Sequence, residues 1–105
     1  MKRVKRRYLA LQLDSENVPS QKEFLDAVWG AIAKLYGEFG ASLTSLALID
    51  YNIEDKRAVL RANLATMDQV RTALASITTI AGKAVALHVL ACSGTIKALR
   101  THLKN

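Results

Sequence analysis

Four stretches with apolar residues at alternate positions, three helix-length segments with apolar residues three and four apart, and polar or glycine-bearing breaks between them predict an α+β fold built on one antiparallel sheet. Half of the 105 residues are apolar and only 6% are aromatic, so one compact core of Leu, Ala, Val and Ile is expected rather than a disordered chain.

Each element has its own signal. In residues 6–14, Leu9, Leu11 and Leu13 share one face of a first strand. A polar connection follows, and Ser20-Gln21-Lys22-Glu23 fits a capping box at the start of a helix. Phe24, Val28, Ile32 and Leu35 form its apolar stripe, widened by Leu25, Trp29 and Tyr36, and Gly37 fits a left-handed stop. Residues 43–53 read as a second strand whose parity changes midway: Leu46 and Leu48 lie on one face, Ile49, Tyr51 and Ile53 on the other. Such a change suggests a bulge, or a strand covered on both sides. Glu54-Asp55-Lys56 reads as a hairpin turn into a third strand at 57–64, with Ala58, Leu60, Ala62 and Leu64 on one face. Thr66-Met67-Asp68-Gln69 is a second capping-box candidate, opening a helix with Met67, Val70, Leu74 and Ile77 inward. Gly82 marks a turn, and Val85, Leu87 and Val89 dominate a fourth strand at 84–91. A last helix follows Cys92-Ser93-Gly94 and buries Ile96, Leu99 and Leu103.

That order is the ferredoxin-like, RRM-like βαββαβ sandwich with an additional C-terminal helix. A single domain over residues 1–105 is expected, with a basic arm at 1–6, the ferredoxin-like core at 7–92 and the helix at 93–104. The last helix would cover the free sheet face and account for apolar Ile49, Tyr51 and Ile53 there.

Charge is segregated along the chain. Residues 1–13 hold five bases and no acid, residues 69–105 again five bases and no acid, and all nine carboxylates lie between Asp14 and Asp68. If the ends meet in the fold, they form a positive face suited to a polyanion; the competing reading is a solubilising charge excess. The candidate phosphate contacts are Lys2, Arg3, Lys5, Arg6 and Arg7 at one end, with Ser93, Thr95, Lys97, Arg100 and Lys104 at the other. Lys97, Arg100 and Lys104 fall three and four apart and share a helix face. Ser93 and Thr95 either cap that helix or help present its N-terminal N–H groups to an anion.

Other chemistry finds little support. His88 and His102 sit on different elements without a nucleophile pattern, and His88, within an apolar strand, reads as a packed residue. Asp50, Glu54 and Asp55 read as turn and surface residues. Cys92 is the single cysteine, so it forms no internal disulfide, and it reads as a small buried hydrophobe. An acylphosphatase-type site needs an arginine-bearing loop after strand one, where this chain has residues 14–19 without arginine. A base-stacking RNA-recognition surface needs aromatics on the central strands, and strand three has none. RNA, if bound, is held through phosphate, sugar and shape. A ligand-sensing or oligomerisation module of the same topology is the alternative, and it has no need of basic termini. No stretch approaches the roughly 20 apolar residues of a membrane span, and the first residues are too polar for a secretory signal. A soluble, cytoplasmic protein without membrane contact is the expectation.

Arg7-Tyr8-Leu9 near the start, Tyr36-Gly37-Glu38-Phe39-Gly40-Ala41 after the first helix, and Ser93-Gly94-Thr95-Ile96-Lys97 near the end occur in an order that resembles the ribonuclease P protein component 2 family of archaea and eukaryotes. The resemblance spans residues 7–100, and the short length is similar to archaeal members. It implies a subunit of ribonuclease P, the tRNA 5′-endoribonuclease, in which the RNA is the catalyst and removes 5′ leaders from precursor tRNA with Mg²⁺. The isolated protein is then expected to be inactive and to bind no cofactor. It also implies partners: the ribonuclease P RNA, precursor tRNA through the holoenzyme, protein component 3, and self-association as a dimer of heterodimers.

Overall fold

A computed structural model describes residues 5–103, without the side chains of His102 and Leu103. Lys2, Arg3 and Lys104, together with the expected burial of Leu103, therefore lie outside what it describes. The elements are β1 (Arg6–Asp14), α1 (Gln21–Ser42), β2 (Ala47–Asn52), β3 (Arg57–Asn63), α2 (Met67–Ser76), β4 (Thr79–Ile80), β5 (Lys83–Ala84), β6 (Ala86–Ser93) and α3 (Ile96–Leu103). The main sheet has the order β2-β3-β1-β6 and every neighbouring pair is antiparallel. With α1 and α2 against it, this is the predicted ferredoxin-like sandwich.

Leu9, Leu11 and Leu13 of β1 and Leu60 of β3 are buried with Phe24, Val28 and Ile32 of α1 and with Met67, Val70 and Leu74 of α2. Burying such side chains contributes about 1.5–3 kcal/mol each, and this core drives the fold. Ala10 points to the opposite side of β1; it and Leu99 of α3 are buried apart from the main cluster. The last helix thus covers the second sheet face, packing on β6 and β1.

The capping box at α1 forms in full. Glu23 N–H donates to Ser20 Oγ and Ser20 N–H to the Glu23 carboxylate. The backbone donor at Ser20, then its side chain, holds the Glu23 carboxyl below its ordinary value of 4.5. A lowered folded-state value means that the cap contributes above the ordinary carboxylate range and weakens as pH falls through the folded value. Gly37 ends the regular helix at φ 78°, as expected, but one more helical turn follows to Ser42, closed by Leu43 N–H donating to the Phe39 carbonyl at 3.2 Å. A Cβ on Gly40 would sit 2.9 Å from Tyr36 Cβ, so that turn folds back closely because residue 40 has no side chain.

Several expectations about the elements are corrected; Leu35 of α1 and Leu64 after β3, expected on inward faces, are exposed. The second strand begins at Ala47, because Thr44 is spent turning the chain: its hydroxyl donates to the Ala41 carbonyl at 2.7 Å and accepts from Leu46 N–H at 3.2 Å. A bulge does interrupt β2, with Ile49 as the extra residue between the pairs Leu48–Leu60 and Asp50–Val59. It returns Tyr51 to the core side, however, where the ring lies 5.2 Å from Phe24 and the hydroxyl donates to the Pro19 carbonyl at 2.6 Å. Burial, with the Glu23 charge second, pushes that hydroxyl's pKa above its ordinary value. Ile53 is exposed in the turn, leaving only Ile49 to meet α3. Thr66 makes no side-chain cap; its hydroxyl donates back to the Asn63 carbonyl through a 3₁₀ turn, Leu64–Thr66. The strand expected from residue 84 starts at Ala86, preceded by the small hairpin β4–β5. Ala81 and Gly82 turn that hairpin with φ of 54° and 79°, and Val85 breaks away to bury its side chain and donate to the Thr78 carbonyl at 3.0 Å.

Candidate nucleic-acid interface

The beginning of β1 and the end of β6 lie side by side, since Tyr8 pairs with Ser93 and Leu9 with Cys92. This register sets Lys5, Arg6 and Arg7 beside the start of α3, at one pole of the described protein. Lys5 and Arg6 are exposed there, and Lys5 is anchored by its carbonyl, which accepts from Leu64 N–H at 2.8 Å. Arg7 is half-buried and lies directly against Gly94: a Cβ built on that glycine would collide with the guanidinium. Gly94 therefore serves by making room for an arginine from the other end of the chain.

Beyond Gly94 the hydroxyls are used locally. Thr95 Oγ1 accepts from Ala98 N–H at 3.1 Å, which makes it the N-cap of α3, and Ser93 Oγ accepts from Thr95 N–H at 3.5 Å. Thr95 thus caps the helix, and Ser93 braces the turn before it. Capping leaves other first-turn N–H groups unpaired within the helix, at the positive end of its dipole, beside a guanidinium of the same sign. Such an arrangement is self-repelling until an anion bridges it. Further along α3, Lys97 and Arg100 are exposed, one turn apart. Arg100 leans over a cleft of about 60 Å³ shared with Ile49, Asp50, Val59, Ile96 and Leu99, toward the β2 edge. Lys5, Arg6 and Arg7 thus lie beside the segment leading into α3, and Lys97 and Arg100 are exposed further along that helix; Lys2, Arg3 and Lys104 lie outside the described residues.

Three other readings are settled by position. His88 is exposed on β6 rather than packed, because it occupies the edge strand opposite Gln12. Cys92 is exposed rather than buried for the same reason. Asp55 sits in the β2–β3 turn, where its carboxylate accepts from Asn52 Nδ2 at 3.1 Å and its N–H donates to Asn52 Oδ1 at 3.0 Å. Among the described residues, no group of three or more His, Cys, Asp and Glu is placed to hold a metal ion. Sequence reasoning passed over Arg61: it is half-buried beside Tyr8 in the register. Only the strand pairing brings it near the start of β1 and, through Tyr8, the end of β6.

Comparison with known proteins fits this picture. A model of the Rpp14/Pop5 family matches residues 7–104. A ribonuclease P protein component 2 from Methanosarcina mazei is 33% identical over 95 residues, which are 90% of this chain and 80% of that protein. One from Pyrococcus abyssi is 31% identical over 98 residues, covering 93% and 83% of the two chains. A chain in a cryo-EM structure of yeast ribonuclease MRP superposes with a TM-score of 0.73 over 99% of this chain and 92% of that one, and at 15% identity this likeness is one of fold.

Proposed function

Because the chain belongs to the Rpp14/Pop5 family, we propose that it is a protein subunit of ribonuclease P that binds and stabilises the RNA responsible for removing 5′ leaders from precursor tRNA. The observation that supports the mechanism is Arg7 against Gly94, which sets a cation of the first strand beside the start of the last helix. Phosphates crowd where an RNA folds back on itself, and cations fixed on a rigid protein lower that repulsion while releasing condensed counterions. The RNA then reaches its active shape with less free Mg²⁺. On this reading the RNA supplies the chemistry and the protein alone cleaves nothing. Family membership also argues against the ligand-sensing alternative.

Component 3 is proposed to dock at the far end of α1. Leu35 before the break at Gly37, and Phe39 and Leu43 after it, are exposed there, and Phe39 is 79% exposed, far beyond the usual fate of a large apolar ring. Two such heterodimers joining through this chain would complete the proposed assembly. No described helix is long and apolar enough to cross a membrane, and the proposed site of action is the cytoplasm.

The proposed positive face is tested by affinity for the ribonuclease P RNA at several salt concentrations. Replacing Lys97 and Arg100 with alanine should flatten the dependence of log affinity on log salt by about 0.7–0.9 for each phosphate that is no longer neutralised. Thermal stability should change by no more than about 0.5 kcal/mol, as for other surface substitutions. A matched pair on α1, Lys22→Ala with Lys34→Ala, should have much less effect; equal losses would show that only total charge matters.

A further inference from the structure

Among the described side chains, two buried polar atoms have no hydrogen-bond partner: Arg61 Nε and Asn63 Oδ1. They stand two residues apart on β3, so their side chains leave the same face of the strand about 7 Å from one another. Across the pairing, Arg61 faces Tyr8 and Asn63 faces Arg6, while Tyr8 in turn faces Ser93 at the mouth of α3. The two orphaned atoms thus adjoin the basic pole. Val59, next on that strand face, lines the cleft under Ile96 and Leu99, which puts the pair on the side of the sheet that α3 covers.

The chemistry of the pair is specific. Arg61 offers a charged donor that the described protein leaves unused. Asn63 offers an acceptor, and its amide orientation is set by its own bonds, Nδ2 donating to the Leu43 carbonyl at 2.8 Å and to Ser45 Oγ at 3.3 Å. An unpaired buried donor or acceptor lowers stability, and native proteins keep few of them. Two of complementary kind, side by side next to a cationic pole, suit one ligand carrying an anion and a hydroxyl a short distance apart. A ribonucleotide carries both. We propose that Arg61 holds an RNA backbone phosphate and that Asn63 Oδ1 accepts the 2′-hydroxyl of the adjoining ribose. This extends the RNA path from Gly94 onto the sheet, and it rests on the RNA-binding reading above. Arg61 and Asn63 are both half-buried, so each side chain retains access to solvent, and the proposed contact requires a small rotation of Arg61 that presents the guanidinium edge to the phosphate as a charge-assisted fork and uncovers Asn63 Oδ1 for the ribose.

The test compares wild type, Arg61→Met, Asn63→Ala and the control Arg71→Met on the exposed side of α2, by affinity for the ribonuclease P RNA at several salt concentrations and by thermal melting. Arg61→Met should weaken binding about tenfold, the worth of one charge-assisted hydrogen bond, and should lower the salt slope by about 0.7–0.9. Its melting temperature should hold or rise, because an unsatisfied buried donor has been removed. Acylation of the RNA's 2′-hydroxyls reads the other half: a ribose protected by wild type should regain reactivity with Asn63→Ala. If wild type does not bind the RNA, the parent reading fails and this one with it. If wild type binds but Arg61→Met binds equally well, or is weakened no more than Arg71→Met, the proposed site is overturned alone. A clear fall in the melting temperature of Arg61→Met would also overturn it, by showing that the arginine is paired inside the protein. Unchanged acylation with Asn63→Ala would remove the ribose from the proposed site.

Discussion

Gly94 owes its place to space rather than to backbone torsion, since it lies outside the glycines with positive φ and its missing Cβ makes room for the Arg7 guanidinium. Replacing it with alanine should expel that guanidinium while leaving the strand and helix intact. Affinity for the RNA should fall for Gly94→Ala by about tenfold, the worth of one charge-assisted hydrogen bond. In an Arg7→Ala background the same substitution should cost almost nothing more, because the displaced group is already gone. A double-mutant cycle of RNA affinities checks this; additive effects would mean that Gly94 acts independently of Arg7. The role of glycine in the Ser-Gly-Thr segment was only half legible in the sequence. That it precedes a capped helix follows from neighbouring residues, but the arginine it accommodates lies 87 positions away and meets it only through strand pairing.

At the level of elements, legibility followed the strength of local patterning. β1, α1 and β3 were readable because long stretches repeat one period, and the bulge in β2 was readable because Ile49 shifts that period by one. The face taken by Tyr51 was not: the direction of a residue after a bulge depends on how the strand re-pairs, and Phe24 together with the Pro19 carbonyl captures the ring. Nor was the hairpin β4–β5, whose two-residue strands are too short to show any period. α3 was placed correctly, and its attachment makes a measurable claim. Leu99 is 1% exposed and fills the layer between α3 and the sheet, apart from the main core. Leu99→Ala should destabilise the protein by about 2–3 kcal/mol, at the low end for buried leucine because a single surface helix can settle into the gap. The melting temperature should then drop by roughly 10–15 °C, as calorimetry would show. RNA affinity should decline with it, since the same helix carries Lys97 and Arg100.

For the molecule as a whole, two surfaces of opposite character adjoin, since Asn63 pairs with Arg6 and its side chain donates to the Leu43 carbonyl just past α1. The basic pole holds the start of β1 beside the end of β6, while Phe39, the most exposed ring among the described residues, stands on the last turn of α1. Substituting Phe39 with serine should leave RNA affinity and melting temperature nearly unchanged yet weaken association with component 3, which sedimentation with and without that subunit measures. Unaltered sedimentation would move the protein contact elsewhere. The topology has a further consequence, in time rather than in space. β1 is the central strand, yet its partners begin at Arg57 on one side and Ala86 on the other, so both of its edges pair with segments made much later. On a ribosome adding about 5–20 residues each second, the most deeply buried strand of the main sheet waits several seconds for its second neighbour. Until β6 emerges, one edge of β1 stays open to pairing with another chain. Production of this subunit is therefore most vulnerable to aggregation in its final stage of synthesis, shortly before the basic pole comes into being.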